Sequence, residues 1–356
     1  MHIRKQKVFV GLSGGVDSSV TAALLLRAGY DVTGVFIKVW SPDWLPCTWR
    51  DERRDAMRVA AHLDIPFLTF DFEDAYKKNV VDYLLAEYQR GRTPNPDVLC
   101  NKEIKFGSFL HEALGRGADF IATGHYAQNV FRDNTFHLLE SVDTEKDQSY
   151  FLWTLGQEAL RHTLFPVGTY KKQEVRNLAR HFNLPTATKK DSQGICFLGP
   201  VDMKEFLAHY VTPQRGEVLD EAGNSIGWHP GAVFFTQGER HGFTITKPSA
   251  QQQPQYIIAK DITHNTLTVA PHQHSRSSTS SQGILASVHW ISPQPPAPQK
   301  KYQARWRYRQ KTSPCFVHHT EKNTVVTFDT PQENLSPGQS LVLYDNGECC
   351  GGGILV

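Results

Sequence analysis

The chain has 356 residues, of which 40% are hydrophobic, and a formal net charge of +2. That length predicts two or three domains, because a single core stops growing before it. No apolar run reaches membrane-spanning length, and so balanced a total charge carries no message about nucleic acid, leaving only local clusters to do so.

Taken in chain order, Val8-Phe9-Val10-Gly11-Leu12 is an apolar, strand-like run. It leads directly into Ser13-Gly14-Gly15-Val16-Asp17-Ser18-Ser19 and a helix-compatible stretch over 20–28. Strand, glycine turn and helix start form the layout of a phosphate cradle. Glycines let backbone N–H groups approach an anion, and the helix N-terminus adds donors and a positive dipole end. An ordinary glycine turn with a Ser/Asp helix cap has the same local composition. No Gly-Lys-Ser/Thr follows, so the loop is not a Walker A loop.

Further on, 31–40 reads as a strand. Residues 51–63 read as a helix with Ala56, Val59, Ala60 and Leu63 on one face and arginines on the other. Residues 66–72 form a strand, 74–89 and 101–114 helices, 119–123 a strand ending at Gly124-His125, and 171–182 an amphipathic helix. This alternation predicts a doubly wound parallel sheet with helices on both faces, its ligands held at the carboxyl ends of strands.

Beyond about residue 205 helical periodicity fades and short β-like pieces appear at 216–219, 232–236, 256–260 and 266–269. Pro-, Gln- and Ser-rich stretches break this region, and the one near 271–283 reads as a linker. Residues 284–356 look like a small all-β unit. The expected architecture is therefore multidomain α/β + β. A catalytic domain spans 1–204, a small β-rich domain 205–279 and a C-terminal β-barrel domain 280–356.

Six cysteines, at 47, 100, 196, 315, 349 and 350, make no dense disulfide framework. No C-x-x-C pair occurs and the histidines show no metal spacing, so no resident metal site is expected. No export or import leader is read at the N-terminus, which predicts a reducing cytoplasm and reactive, non-structural thiols.

Two cysteines stand in distinctive loops. Cys100 closes Gly91-Arg92-Thr93-Pro94-Asn95-Pro96-Asp97-Val98-Leu99-Cys100-Asn101, stiffened by two prolines. Placed just before the predicted 101–114 helix, its thiol would feel the helix dipole. Cys196 lies in Lys189-Lys190-Asp191-Ser192-Gln193-Gly194-Ile195-Cys196-Phe197, with lysines nearby. Each has a plain alternative as a buried core cysteine. Cys47, Cys315, Cys349 and Cys350 read as non-catalytic, and His125 as either structural or close to a nucleotide. Residues 300–311 hold six basic residues, no acid, and Tyr302, Trp306 and Tyr308. Strand alternation would place Arg305, Arg307 and Arg309 on one face, fit for phosphate contact or a solvated outer face.

Together these elements carry a resemblance. The S-G-G-x-D-S-S string resembles the loop of the N-type ATP pyrophosphatases. With G-R-T-P-N-P-D-V-L-C-N, Ala122-Thr123-Gly124-His125-Tyr126, Lys146-Asp147-Gln148-Ser149-Tyr150 and D-S-Q-G-I-C-F, the chain resembles the tRNA 2-thiouridylases over essentially its whole length. Thr236-Gln237-Gly238-Glu239-Arg240-His241-Gly242 is a looser version of that family's pattern.

The resemblance implies ATP-dependent adenylation of the C2 oxygen of the wobble uridine in tRNAs for Lys, Glu and Gln. Sulfur would then pass from a Cys196 persulfide to give 2-thiouridine, with release of AMP and pyrophosphate. Cys100 would act as nucleophile, leaving a Cys100–Cys196 disulfide, and Asp97 would move a proton. It places the nucleotide, with Mg²⁺, on Gly11, Leu12, Ser13, Gly14, Gly15, Val16, Asp17, Ser18, Ser19, Ile37 and Gly124. Asn95, Pro96 and Asp97 would border the target base. Lys146, Asp147, Gln148, Arg307 and Tyr308 would touch tRNA elsewhere. The implied partners are the anticodon loop of tRNA and a sulfur donor, either a cysteine desulfurase or a sulfur-relay carrier, with no membrane partner.

Overall fold

The computed structural model describes residues 4–45, 49–191, 202–247, 253–271 and 279–356. The first strand, β1 (Lys7–Gly11), is buried on both faces. Val8 and Val10 join one core cluster and Phe9 another. Such a strand belongs in the middle of a covered parallel sheet. Its neighbours are β2 (Asp31–Lys38), β3 (Phe67–Asp71) and β4 (Phe120–Ala122), and the fifth strand is Thr163–Leu164. They run in the order β3-β2-β1-β4 and then Thr163–Leu164, all parallel. Strand order reverses between β1 and β4, so the crevice beyond their carboxyl ends is the ligand position of this fold.

Two helices follow the sequence pattern closely. The first, α1 (Val16–Arg27), starts inside the glycine loop and packs Val16, Val20 and Ala23 against Val175 and Ala179 of the helix Lys172–His181. The second, α2 (Trp49–His62), buries Ala56, Val59 and Ala60 against the sheet.

The two long helices predicted next differ in detail. Residues 73–89 are α-helix at both ends with wider i→i+5 turns over Lys77–Val81. The second helix begins at Pro96, not after Cys100. Its Asn95 cap accepts from the backbone N–H groups of Asp97 and Val98 at 3.1 and 3.3 Å. Proline at the first position has the fixed φ that a helix start needs. In the sequence the prolines read as stiffening a loop; here Pro96 initiates the helix. Cys100 thus lies one turn inside, where the wide-turn run Cys100–Ser108 begins. Wide turns of this kind concentrate at functional sites.

The later residues are β-structured, as expected. One sheet has the order Thr244–Ile245, Ser225–His229, Gly216–Leu219, Thr266–Pro271, Gln255–Asp261. Residues 232–234 form a short 3₁₀ turn instead of the predicted strand. Of the linker expected over 271–283, residue 271 ends a strand and 279–283 begin the strand Thr279–Trp290; residues 272–278 lie outside the described residues. Six strands from Thr279 to Leu355 close into a barrel, because Thr279–Trp290 pairs with both Thr324–Glu333 and Glu348–Leu355.

Two features escape sequence reading. A hairpin of Ala127–Arg132 and Thr135–Glu140, from the α/β half of the chain, pairs with Glu348–Leu355 and extends the barrel sheet to eight strands. One hydrophobic cluster also runs through all three regions, joining Phe109 and Tyr150 to Phe235, Ile257, Val342 and Tyr344. Among the described residues no helix is long and apolar enough to cross a membrane.

Candidate active site

The glycine loop leaves the carboxyl end of β1 at the reversal of strand order. Gly14 has φ +70°, and a Cβ there would meet the carbonyl oxygen of Glu52 at 2.6 Å. Both the left-handed conformation and the close approach of α2 therefore require glycine. Gly15 stands at the N-cap of α1 and supplies no side-chain acceptor, so no side chain caps the first-turn amides. The serine hydroxyls are turned inward. Ser18 and Ser19 both donate to the Gly15 carbonyl, at 3.2 and 2.6 Å, and Thr186 donates to Ser19 at 3.0 Å. Ser13 is exposed at the rim, its backbone N–H donating to Ser18 Oγ at 3.3 Å. Ser13 Oγ in turn accepts from the Gly15 N–H at 3.3 Å, so serines cap the loop's own amides while no side chain caps the first turn of α1.

Other predicted nucleotide residues gather here. Gly124 follows β4, and a Cβ on it would meet the Ser18 nitrogen at 2.7 Å and the Asp17 carbonyl carbon at 2.9 Å. The first turn of α1 can sit where it does only because residue 124 has no side chain. Gly11 ends β1, with Ile37 at 3.7 Å from its would-be Cβ; Leu12 is buried beneath the loop. A cleft of about 280 Å³ lined by Asp55, Arg58, Thr186 and Lys189 adjoins Gly14 through Asp55.

Asp17 is held by groups that the sequence reading did not single out. Lys172 Nζ donates to both its carboxylate oxygens, at 2.7 and 2.8 Å, and the Tyr126 hydroxyl donates at 2.9 Å. Lys172 also reaches Asp191 at 3.0 Å, which is bound in addition by Lys146 and Arg176. Partial burial opposes ionisation of Asp191, but the hydrogen bonds and charges of Lys172 and Lys146 outweigh it and hold its carboxyl below the usual range. Burial, and then the adjacent Asp17 carboxylate, push the Tyr126 hydroxyl far upward, so it remains a donor. One sequence signal existed. Lys171 and Lys172 open a helix, where the dipole disfavours cations, so another interaction has to hold them there.

The second group of predicted residues lies where the three regions meet. The loop over 91–101 is gripped on both sides. Thr93 N–H donates to the Pro337 carbonyl at 2.9 Å, Gln339 donates to the Thr93 carbonyl at 2.7 Å, and the Thr93 and Thr236 hydroxyls share a hydrogen bond at 3.1 Å. Gly338 presses on the Thr93 backbone. Cys100 is fully buried in the large core cluster, while Asn95, Pro96 and Asp97 are half-buried along the loop. Asn101 donates to the Phe151 carbonyl at 3.1 Å, tying this helix to the segment after Gln148.

That segment anchors the barrel. The buried Asp147 carboxylate accepts from the N–H groups of Ser141 and Ser149, from the Ser149 hydroxyl, and from Arg305 at 3.2 Å. Arg305 also reaches Glu140 at 3.0 Å. The Tyr150 hydroxyl donates toward the carbonyls of Trp306 and Ser340, at 3.0 and 2.9 Å. Gln148 accepts from Tyr126 N–H at 2.9 Å. The strand Tyr302–Arg305 ends at Arg305 and turns, with Arg309 at φ +63°. The three arginines therefore do not share a strand face. Arg305 points into the protein, Arg307 donates to the Gln237 carbonyl at 3.2 Å, and Tyr308 packs on Phe151 at 4.6 Å between ring centroids.

Cys196, predicted beside Cys100, and Cys47 lie outside the described residues. Cys315, Cys349 and Cys350 sit in the barrel. Burial pushes the Cys315 and Cys350 thiols up to about 12 and Cys349 further, so all three stay protonated and poorly nucleophilic. His125 is buried between Thr123 and Lys105, and burial drives its pKa well down. No group of three or more His, Cys, Asp or Glu suited to a metal ion occurs among the described residues.

A parallel α/β domain with a glycine loop at its strand-order reversal, locked to two β domains, defines the class of the molecule. Residues 6–200 match the family model described as the tRNA methyl transferase HUP domain, 204–271 its PRC-barrel domain, and 280–355 the aminomethyltransferase β-barrel domain. The chain is 46% identical to the tRNA-specific 2-thiouridylase MnmA of Nitrosomonas europaea, covering 99% of both chains. It is 44% identical to that of Francisella tularensis, over 99% of this chain and 100% of the relative. With that of Stenotrophomonas maltophilia it shares 46% identity, over 98% of this chain and 93% of the relative. The chain belongs to the tRNA-specific 2-thiouridylase MnmA family.

Proposed function

We propose that this protein replaces the C2 oxygen of the wobble uridine in tRNAs for Lys, Glu and Gln with sulfur, at the expense of ATP. The observation that carries the reading is the glycine loop at the β1/β4 reversal, with Gly14 and Gly124 both required by close backbone packing. That loop would hold the β- and γ-phosphates while the uridine O2 attacks the α-phosphorus, releasing pyrophosphate and leaving AMP on the base. Gly11 and Ile37 would flank the adenosine. Mg²⁺ would enter with ATP, and the oxygen donors Asp17 and Ser18 suit it chemically. Methyl transfer, the activity in the family-model description, has no need of such a loop or of two cysteines.

Sulfur would arrive as a Cys196 persulfide, charged by a cysteine desulfurase or a relay carrier. In one route the Cys100 thiolate attacks the inner sulfur, and released sulfide displaces AMP from C2. In the other the terminal sulfur displaces AMP first, and Cys100 then attacks Cys196 to free thiouridine. Both consume two thiol electrons, form a Cys100–Cys196 disulfide and require a cellular reductant to reopen it. Asp97 would exchange a proton at the base, which must leave its stack to be reached. Asn95 and Pro96 would border that base, and Lys146, Gln148, Arg307 and Tyr308 would contact the surrounding RNA; Asp147, expected with them, is buried with its carboxylate engaged by Ser141, Ser149 and Arg305, which suits a structural anchor and not an RNA contact. The domain boundaries at 204/205 and 279/280 divide these tasks.

The test is release of AMP and pyrophosphate from ATP with an unmodified glutamate tRNA transcript. A transcript carrying cytidine at the wobble position and the Cys196→Ala variant serve as controls. Release that needs the wobble uridine and persists in Cys196→Ala is expected. Release indifferent to tRNA, or methyl incorporation from S-adenosylmethionine, would overturn the reading.

A further inference from the structure

Lys172 is an anomaly that the proposed chemistry does not use. It occupies the first position of a helix, where the dipole opposes a cation. Its side chain is only 13% exposed, yet the ammonium faces two carboxylates. Its own N–H donates to Asp143 at 2.7 Å, which fixes the backbone that delivers it. The ammonium grips both oxygens of Asp17 and so governs the direction in which that carboxylate can face. Three cations, Lys172, Lys146 and Arg176, stand here against three carboxylates, Asp17 and Asp191 on the ammonium and Asp143 on the Lys172 backbone N–H. This balanced cluster lies beside the N-terminus of α1, which no side chain caps, so loss of either charge on Lys172 or Asp191 tips its sign.

We propose that Lys172 is the positioning residue of the phosphate loop: through Asp17 it orients the loop for a magnesium-bound pyrophosphate group, while Asp191 restrains it. This rests on the reading of the loop as an ATP site. Asp191 competes with Asp17 for the same ammonium, so the two carboxylates have opposite effects on an incoming anion. Removing the ammonium leaves Asp17 with only the neutral Tyr126 hydroxyl, its charge uncompensated and repelling phosphate. Removing the charge of Asp191 frees Lys172 for Asp17 and leaves the cluster net positive. A merely structural cluster would behave otherwise, because losing either member would damage the loop in the same sense.

The experiment is calorimetric binding of magnesium pyrophosphate to the full-length protein and its Lys172→Met, Lys172→Arg and Asp191→Asn variants, with thermal unfolding of each. Lys172→Met is expected to weaken binding by about tenfold or more, the scale of one lost charge-assisted contact. Lys172→Arg recovers most of it, and Asp191→Asn binds at least as tightly as wild type. The KM for MgATP should follow the same order, with kcat less affected. Equal weakening in Lys172→Met and Asp191→Asn, or unaltered binding in Lys172→Met beside a lowered melting temperature, would overturn the proposal. Absence of binding to the wild-type protein would instead sink the reading of the loop.

Discussion

Arg305→Met tests how the barrel is fastened to the α/β domain. The guanidinium is 12% exposed, lies 3.2 Å from Asp147 and 3.0 Å from Glu140, and sits over the Tyr344 ring at 5.0 Å. Methionine retains much of the apolar stem and removes the charge. Deleting one partner of a buried pair costs about 3–5 kcal/mol. Asp147 keeps three other donors, so its charge stays partly satisfied, and the lower end, about 3 kcal/mol, is expected. Glu140 gives the loss a pH signature. Burial, then repulsion from Asp147, already raise its pKa, and Arg305 opposes them. Without Arg305 the pKa rises further. A carboxyl with a raised folded-state pKa carries no penalty below its unfolded value near 4.3 and the full penalty above its folded value. The deficit of Arg305→Met against wild type should therefore grow as pH rises from about 4 toward neutrality. Denaturant unfolding across that range, with Asp147→Asn and the double variant completing a cycle, measures it. A deficit below about 1 kcal/mol at neutral pH, or one that shrinks as pH rises, would refute the argument.

Three further outcomes follow from the geometry. Gly124→Ala drives a Cβ into the backbone of Asp17 and Ser18; it should cost about 1–3 kcal/mol in unfolding and abolish saturable pyrophosphate binding. Gly11→Ala meets nothing closer than 3.6 Å within the protein, so its melting temperature should hold while the KM for ATP rises, a split that an unchanged KM would contradict. Lys260 is pushed down to about 8 by burial, with Glu239 opposing, and donates to the Phe235 carbonyl at 2.7 Å. Its charged form is disfavoured in the fold, so the penalty is full below about 8 and fades toward the ordinary value near 10.4. Wild type should gain stability relative to Lys260→Met between pH 8 and 10, read by denaturant midpoints; a loss over that interval would show the ammonium to be favourably held.

The sequence alone determined the elements whose cause is local. Apolar runs made β1 and β2, the Ala56, Val59, Ala60 spacing made α2, and the glycine string marked the cradle, because backbone freedom and side-chain period are encoded residue by residue. Even the family was legible, since the loops around Gly14 and Cys100 carry long specific strings. Where the cause was distant, local reading stopped short. Pro96 starts a helix because Asn95 caps it within a loop gripped by Thr236, Pro337 and Gln339. The hairpin over 127–140 joins the barrel through backbone pairing with Glu348 and Cys349, and main-chain hydrogen bonding leaves little trace in side-chain pattern. Arg305, expected on one outer strand face with Arg307 and Arg309, is instead the buried partner of Asp147, 158 positions away. Lys172 is likewise an ordinary charge in the sequence, and Asp17 and Asp191 stand in separate motif strings. They become a site only when the parallel sheet brings the starts of two helices together at one end, where opposite charges can meet away from water.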